Sequence, residues 1–201
     1  MSTLVKPTIA YRDSFLQGAH DFAQEGRLDS TYSTFLGYDL RSMQDQFVQF
    51  VHDLRGLGDE ARRQKGWYLD HVFWLIDGNE YIGQASIRPE LASPYLLTYG
   101  GHIGYSIRPS KRLKGYGREI LALALESARK IDLRRVLVTC DADNVGSRRI
   151  IEHNGGQFES AIEMTRSTFR AEGRTSGGRM EKLRYWIDLS DAPDGAREET
   201  H

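Results

Sequence analysis

The sequence predicts a single α/β domain built around a mixed sheet that contains one parallel strand pair. The prediction depends on amphipathic helical segments that alternate with short apolar runs, and on a strand, a helix and a strand that follow one another in mid-chain. The chain has 201 residues, 39% of them hydrophobic. This length suits one core and is short for two ordinary domains with a linker. We therefore expect one domain over residues 1–190 and a polar tail over residues 191–201.

Two helices and a hairpin are predicted in the first half of the chain. Tyr11–Gln24 and Leu40–Leu54 carry apolar side chains at helical spacing, with turn residues flanking each segment. The runs Val72–Ile76 and Tyr81–Ile87 are separated by Asp77-Gly78-Asn79, which is a turn signal. These two runs therefore predict a β-hairpin.

The middle of the chain predicts a crossover unit. His102–Ile107 alternates as a strand, Tyr116–Lys130 has a single apolar helical stripe, and Val136–Cys140 is a continuous apolar run. Because a tight turn joins only antiparallel neighbours, a strand, helix and strand in this order make the two strands parallel.

The last third of the chain predicts one helix and a second hairpin. Val145–His153 is a short helix, and the glycines of Asn154-Gly155-Gly156 can end it in the left-handed conformation. Phe158–Met164 and Met180–Leu189 are the two strands of the hairpin. The Gly- and Arg-rich segment Arg170–Arg179 would join them.

Charge and cysteine content exclude several classes of function. The formal net charge is -1, so no global field attracts nucleic acid or an anionic membrane. Cys140 is the only cysteine, which excludes an intrachain disulfide and a cysteine-rich zinc site, and we expect no bound metal. Charged residues interrupt the first thirty positions, so neither a signal peptide nor a membrane span is expected. These observations predict a soluble, cytoplasmic protein.

A basic segment stands out against this slightly acidic background. Gly115 and Gly117 lie where a loop becomes a helix, so main-chain N–H groups and the positive helix end face outward beside basic side chains. This arrangement predicts an anion site, although a solvated basic turn is the common alternative. The basic residues, with no acidic residue among them, are Arg108, Lys111, Arg112, Lys114 and Arg118.

Two familiar phosphate motifs do not fit the segment. Ile120 occupies the place of the third glycine of a dinucleotide fingerprint, and no Gly-Lys-Ser/Thr is present for a nucleotide P-loop. Asp141 lies near the spacing of a ribose-binding acid, which leaves an NAD(P)-dependent oxidoreductase as an alternative.

The segment resembles the signature of the GNAT superfamily of N-acetyltransferases. Ile107-Arg108-Pro109 followed by Arg112-Leu113-Lys114-Gly115-Tyr116-Gly117 is similar to its Arg/Gln-x-x-Gly-x-Gly block. The run from Asp143 to Glu152 resembles the strand end and helix that follow in that family. The resemblance covers about Gly101 to Phe158. It implies a GNAT-like mixed, mostly antiparallel central sheet, with two splayed parallel strands, flanked by helices.

The resemblance also implies acetyl-CoA as acyl donor and a set of residues that bind it. The strand around Tyr105 would pair with the pantetheine amides, the loop N–H groups would hold the pyrophosphate, and Asn144 would steady the arm. The implied cofactor-binding residues are Tyr105, Ser106, Ile107, Arg112, Leu113, Lys114, Gly115, Tyr116, Gly117, Arg118, Asn144 and Ser147.

The catalytic residues are less well specified. Acetyl transfer to an amine needs a neutral nitrogen and often an acid for the leaving thiolate. Many family members have a tyrosine acid where this chain has Ile151, so Tyr185 and Tyr105 are candidate replacements, and each could instead be a core residue. His102 is a candidate base, but strand alternation places its side chain on the face of the strand opposite to that of Tyr105. A bulge near Gly100-Gly101 could reverse this orientation.

Other candidates concern the acceptor. Asp141 and Asp143 end the second parallel strand, where they could bind substrate or cap the following helix. Cys140 lies in an apolar run, so its thiol should stay protonated and unreactive. The acceptor amine, a small molecule or a peptide, is not specified. Homodimers are common in the family, but the sequence leaves the oligomeric state open. Ile151 also motivates an alternative function, a catalytically silent acyl-CoA-binding sensor or interaction module.

Overall fold

A computed structural model describes residues 1–62, 68–164 and 181–190. The predicted loop Arg170–Arg179 and the tail over residues 191–201 lie outside these ranges. The strands are β1 (Thr3–Val5), β2 (His71–Asp77), β3 (Glu80–Ile87), β4 (Ile103–Ile107), β5 (Arg135–Asp141), β6 (Gln157–Glu163) and β7 (Glu181–Asp188). The α-helices are α1 (Arg12–Gln24), α2 (Leu40–Asp45), α3 (Phe47–Gly56), α4 (Tyr116–Arg129) and α5 (Val145–His153).

The described strands form one seven-stranded sheet in the order β1-β2-β3-β4-β5-β7-β6. Only β4 and β5 are parallel, and the other neighbouring pairs are antiparallel. The mixed, mostly antiparallel sheet and its single parallel pair confirm the predicted fold class. The hairpin of β2 and β3 is confirmed as well, with Asp77 opposite Glu80 across the turn.

Each face of the sheet is covered by its own helices. α4 and α5 bury apolar side chains such as Leu121 and Ile151 against one face. α1, α2 and α3 cover the other face through an aromatic cluster in which Phe15 stacks on Trp74 with 4.3 Å between ring centroids. In the described ranges no helix is both long and apolar enough to cross a membrane.

The helix predicted over Leu40–Leu54 is two helices, so this prediction was wrong in its continuity. Asp39 caps α2 by accepting the N–H of Ser42 at 2.7 Å. At Gln46 the backbone leaves the helical region, with φ -118° and ψ 34°, and α3 begins at the next residue. The apolar spacing continues across the break, because Met43 and Phe47 enter the same core.

Long-range pairing added two features that the sequence did not predict. β1 adds an edge strand beside β2, with Leu4 opposite Leu75. β7 lies between β5 and β6, so it pairs with both, and Tyr185 has Val138 on one side and Phe158 on the other. The last two strands are a hairpin partner pair as predicted. β7, the second strand of this hairpin, also pairs with the edge of β5 that faces away from β4.

The parallel strands β4 and β5 meet at one end and separate toward the other. Their described pairing is limited to Ile103 opposite Val138, beside a bond from the His102 N–H to the Leu137 carbonyl at 2.7 Å. At this closed end Gly101 has φ +75°, and a Cβ there would lie 2.6 Å from the Leu137 oxygen, so only glycine fits. Beyond Ile103 the two strands enclose an opening, called the gap below.

Candidate active site

The edge of β4 that faces the gap carries unused main-chain groups. The Arg108 N–H donates to Ile82 and the Arg88 N–H donates to His102, so the even-numbered residues of β4 are those bonded to β3. Because antiparallel bonding alternates along a strand, the N–H and C=O groups of Tyr105 and Ile107 point toward the gap. This edge can therefore pair with an extended chain that contains amides.

The loop before α4 presents a row of main-chain donors. Among the described residues, no acceptor is found for the N–H groups from Leu113 to Gly117. Leu113 and Gly115 have positive φ angles of 61° and 91°, and the Leu113 side chain is fully exposed. A leucine in this conformation is unfavourable by about 1 kcal/mol or more, and no packing of its side chain compensates. Such a row of donors at a helix start is an anion-binding cradle.

The two glycines of the loop have different roles. Gly115 provides the left-handed turn that precedes α4. Gly117 lies inside α4, where an added Cβ would stand 2.4 Å from Cδ1 of Ile150. Gly117 therefore allows α4 and α5 to pack closely. This packing role was not evident from the sequence.

Most of the basic side chains in this segment are already paired. Carboxylates brought in from α1 and its end, and from β3, neutralise the first three cations. Lys114 and Arg118 are exposed, and neither has an ion-pair partner among the described residues. The three pairs are Arg108 with Asp21 at 2.6 Å, Lys111 with Glu80 at 2.6 Å and Arg112 with Glu25 at 2.8 Å.

Tyr105 ties β4 to the start of α5 across the gap. Its hydroxyl lies 2.7 Å from Oγ of Ser147, and the Ser147 N–H donates to Oδ1 of Asn144 at 2.9 Å, which caps the helix. Burial raises the pKa of Tyr105 above its ordinary value, so the phenol keeps its proton at neutral pH. Three predicted cofactor-binding residues are thus brought together at one end of the gap.

Comparison with known proteins decides the family. Residues 22–157, more than half of the chain, match the model of the acetyltransferase (GNAT) domain. The chain belongs to the GNAT acetyltransferase family. No curated protein sequence matches it.

Solved structures share the GNAT fold with this chain at low sequence identity. RimL, a ribosomal alpha-N-protein acetyltransferase in complex with coenzyme A, has a TM-score of 0.64 at 16% identity, covering 94% of this chain and 95% of that one. The microcin self-immunity acetyltransferase MccE, in complex with acetyl-CoA and AMP, has a TM-score of 0.61 at 14% identity, covering 93% and 92%. A chimera of the spermidine N-acetyltransferase SpeG from Vibrio cholerae and hSSAT has a TM-score of 0.59 at 14% identity, covering 94% and 96%.

Tyr185, the first candidate acid of this GNAT chain, lies one strand away from the gap. Its side chain is 2% exposed, and its hydroxyl donates to the Glu152 carboxylate at 3.4 Å. Burial, with the neighbouring Cys140 and Glu152, raises the pKa of Tyr185 to about 12. β5 separates β7 from β4, so Tyr185, unlike Tyr105, is not on a strand that borders the gap.

His102 lies on the face opposite Tyr105, as strand alternation predicts, with its ring 6.0 Å from that of Trp186. Its Nδ1 accepts the Leu137 N–H at 2.9 Å, which assigns the proton of the neutral ring to Nε2. Burial lowers the pKa of His102 to about 4. Neither ring nitrogen therefore offers a free lone pair, and the geometry favours a structural role over that of a base.

Asp141 and Asp143, the two acidic candidates at the end of β5, differ in their surroundings. Asp141 forms an ion pair with Lys182 at 2.9 Å, whereas Asp143 is exposed. The cap of α5 is Asn144, so the interpretation of either aspartate as that cap was wrong. Cys140 is buried, and burial raises the pKa of its thiol to about 11, which agrees with the expected unreactive thiol.

Sequence reasoning missed a buried polar cluster on the face opposite α4. Arg88 donates from Nη2 to Asp70 at 3.1 Å, to Tyr32 at 3.2 Å and to Ser86 at 3.1 Å. Asp70 also accepts the Tyr32 hydroxyl at 2.5 Å. These four residues are called the Arg88 cluster below. They are scattered along the chain without a recognisable spacing, so no local pattern could have revealed them.

Proposed function

We propose that this protein is an acetyl-CoA-dependent N-acetyltransferase in which an amine attacks the thioester directly in a ternary complex. The observation that carries the proposal is the row of unpaired N–H groups from Leu113 to Gly117 beside the open edge of β4. The GNAT membership of the chain and the acetyl-CoA and coenzyme A bound to MccE and RimL support the choice of donor.

The residues around the gap suit the parts of coenzyme A. The loop N–H groups, with Lys114 and Arg118 nearby, would hold the pyrophosphate. The main-chain groups of Tyr105 and Ile107, on either side of Ser106, would pair with the pantetheine amides. Asn144 and Ser147 would lie beside the arm. Acetyl-CoA supplies an acyl group activated as a thioester.

Arg112 has a different role in this proposal from the one its charge suggests. Its guanidinium is engaged by Glu25, and its Nε donates to the Ile107 carbonyl at 3.2 Å. We assign it to holding the loop in the shape that exposes the N–H groups. Lys114 and Arg118 then provide the charge for the phosphates.

Tyr105 is the proton donor that the geometry favours. It stands on the gap strand, its hydroxyl contacts Ser147 at the gap, and its raised pKa keeps the phenol protonated. Tyr185 has the same chemistry, but its hydroxyl is engaged by Glu152 in the last turns of α5. The main-chain N–H of Tyr105 is a further donor at this position, of the kind that stabilises a developing oxyanion.

The acceptor is proposed to be an amine. RimL is an alpha-N-protein acetyltransferase and SpeG is a spermidine N-acetyltransferase, and RimL and the SpeG chimera have similar TM-scores against this chain. The fold is therefore compatible with both peptide and small-molecule acceptors. A homodimer remains the assembly that the family resemblance favours.

The test combines cofactor binding with turnover. Calorimetry should detect acetyl-CoA binding to the purified protein, and thiol release should rise when a panel of amines is added. Lack of binding to acetyl-CoA and CoA would overturn the proposal. Tight CoA binding without acetylation of any amine would instead support a silent acyl-CoA-binding module, and binding of NAD(P) in place of CoA would support an oxidoreductase.

A further inference from the structure

The Arg88 cluster contains buried polar atoms that have no partner. Asp70 of this cluster is 4% exposed and Gln84, which lies two residues before Ser86 on β3, is 3% exposed. Oδ1 of Asp70, Nε of Arg88 and Oε1 of Gln84 make no hydrogen bond within the described ranges. Each unsatisfied buried group costs about 1–3 kcal/mol. Two hydrogen-bond acceptors and one donor left open in one region indicate a place where a polar ligand is received.

Ser86 and Arg88 of the cluster lie beside the gap strand β4, on the sheet face opposite α4. A Cβ on Gly104 would stand 3.2 Å from Oγ of Ser86 and 3.7 Å from both terminal nitrogens of Arg88. Gly104 directly precedes Tyr105, the residue whose main chain faces the gap. Because Gly104 has no side chain, the Arg88 cluster can lie directly against β4 at the point where the gap opens.

Gln84 extends the polar region along the sheet. It lies opposite Ser106 in the pairing of β3 with β4, and both side chains donate to the Ser30 carbonyl, at 2.6 Å and 3.2 Å. The amide nitrogen of Gln84 is thus fixed while its Oε1 is free. Because Asp70 uses only Oδ2 for Tyr32 and Arg88, its Oδ1 is free in the same way.

We propose that Asp70 and Gln84 bind the amine of the acceptor. The proposal rests on the proposed acetyltransferase function. Oδ1 of Asp70 and Oε1 of Gln84 accept the N–H groups of a primary ammonium or amine, and Arg88 and Tyr32 hold the Asp70 carboxylate in place. The acceptor would then reach the gap from the face of α1 to α3, while CoA occupies the cradle beside α4.

Steady-state kinetics of Asp70→Asn test this assignment with two probes, spermidine and a short peptide with a free alpha-amine. The KM for the amine should rise about tenfold or more, since a charge-assisted hydrogen bond is lost, while the KM for acetyl-CoA stays within about twofold. If Asp70 had only a structural role, Asp70→Asn would lower the stability of the protein and change both KM values or neither.

Asp53→Asn is the matched control. Asp53 on α3 also accepts a tyrosine hydroxyl, that of Tyr38 at 2.8 Å, and lies 3.6 Å from Arg62. The Asp53→Asn substitution should destabilise the protein and leave both KM values unchanged. If Asp70→Asn does not fold, Gly104→Ala provides the second variant, because its methyl group narrows the space beside Arg88 and should raise the KM for the amine alone.

The outcomes separate this inference from the proposed function. Absence of acetyl-CoA binding by the wild type overturns the proposed function, whereas an unchanged amine KM in Asp70→Asn and Gly104→Ala overturns only this inference. If the wild type turns over neither probe, NMR of the Arg88 Nε–H signal in the CoA complex decides. A shift on titration with n-butylamine supports the amine site, and no shift overturns it.

Discussion

Arg112 and Glu25 form a bidentate ion pair, with nitrogen to oxygen distances of 2.9 Å and 2.8 Å. Both side chains are more than one third exposed, so the pair itself contributes little stability, about 0–1 kcal/mol. Its effect is geometric, because Arg112 also donates to the Ile107 carbonyl at 3.2 Å. One side chain thus joins the end of α1, the end of β4 and the loop that precedes α4.

The first prediction concerns Lys114 and Arg118, the two cations of the loop for which the described part of the chain provides no ion-pair partner. Lys114→Glu should weaken acetyl-CoA binding about tenfold or more, since a charge reversal near a pyrophosphate changes the interaction by roughly 1–2 kcal/mol at a solvated site. Calorimetry at low and high salt measures the affinity of the variant and of the wild type for acetyl-CoA. The loss of affinity should be smaller at high salt, because salt screens the charge.

Lys130→Glu is the control for this charge reversal, because Lys130 is exposed at the opposite end of the same helix. It changes the net charge equally and should leave the affinity unchanged. Equal losses in the two variants would show that global charge, rather than the cradle, controls binding.

The second prediction concerns the proton donor. Tyr105→Phe should lower kcat roughly 10–100-fold with little change in either KM, as expected for the loss of a general acid. Ser147→Ala removes the same hydrogen bond and keeps the phenol, so it should lose far less kcat. Tyr185→Phe should change kcat by less than about threefold, and a larger effect there than in Tyr105→Phe would reverse the assignment.

The parts of this fold that the sequence predicted are those with local signals. The hairpin of β2 and β3 has a two-residue turn at Gly78 and Asn79, and the crossover through α4 has its own apolar stripe. The anion cradle was predictable for the same reason, since its residues are consecutive. The GNAT resemblance of that segment supplied the splay of β4 and β5, which periodicity alone does not imply.

The features that were not predictable depend on contacts between distant residues. Glu25 and Arg112 are 87 residues apart, so the basic segment looked more highly charged in the sequence than it is in the folded protein. The same holds for the Arg88 cluster, in which Tyr32 and Arg88 are 56 residues apart. The break at Gln46 was hidden because the apolar stripe runs through it.

The third prediction concerns Cys140 and the order of the reaction. If the amine attacks the thioester directly, Cys140→Ala should keep its kcat, and mass spectrometry of the wild type mixed with acetyl-CoA should show no acetylated enzyme. With the pKa of the thiol raised to about 11 by burial, native Cys140 should also react with iodoacetamide slowly at pH 8. The expected rate is roughly 100-fold below that of the urea-unfolded chain, because so little thiolate is present. An acetyl-cysteine adduct would contradict direct attack.

The fourth prediction concerns the pH dependence of stability. Burial lowers the pKa of His102 to about 4, whereas in the unfolded chain it returns to near 6.5. Between these values the unfolded state binds the additional proton, so stability is complete above about pH 6.5 and is lost as the pH falls toward 4. The decrease in the free energy of unfolding from His102 alone approaches roughly 3 kcal/mol.

His102→Asn isolates this contribution, because its side-chain oxygen can replace Nδ1 as the acceptor of the Leu137 N–H and cannot titrate. Urea denaturation of both proteins at pH 7, 6 and 5 should show the wild type losing stability faster on acidification than the variant. Carboxylates titrate alike in the two proteins and cancel in the comparison. Since neither ring nitrogen of the neutral His102 offers a free lone pair, the variant should also retain acetyl transfer at pH 7. A large loss of kcat in a folded His102→Asn would restore the histidine as a candidate base.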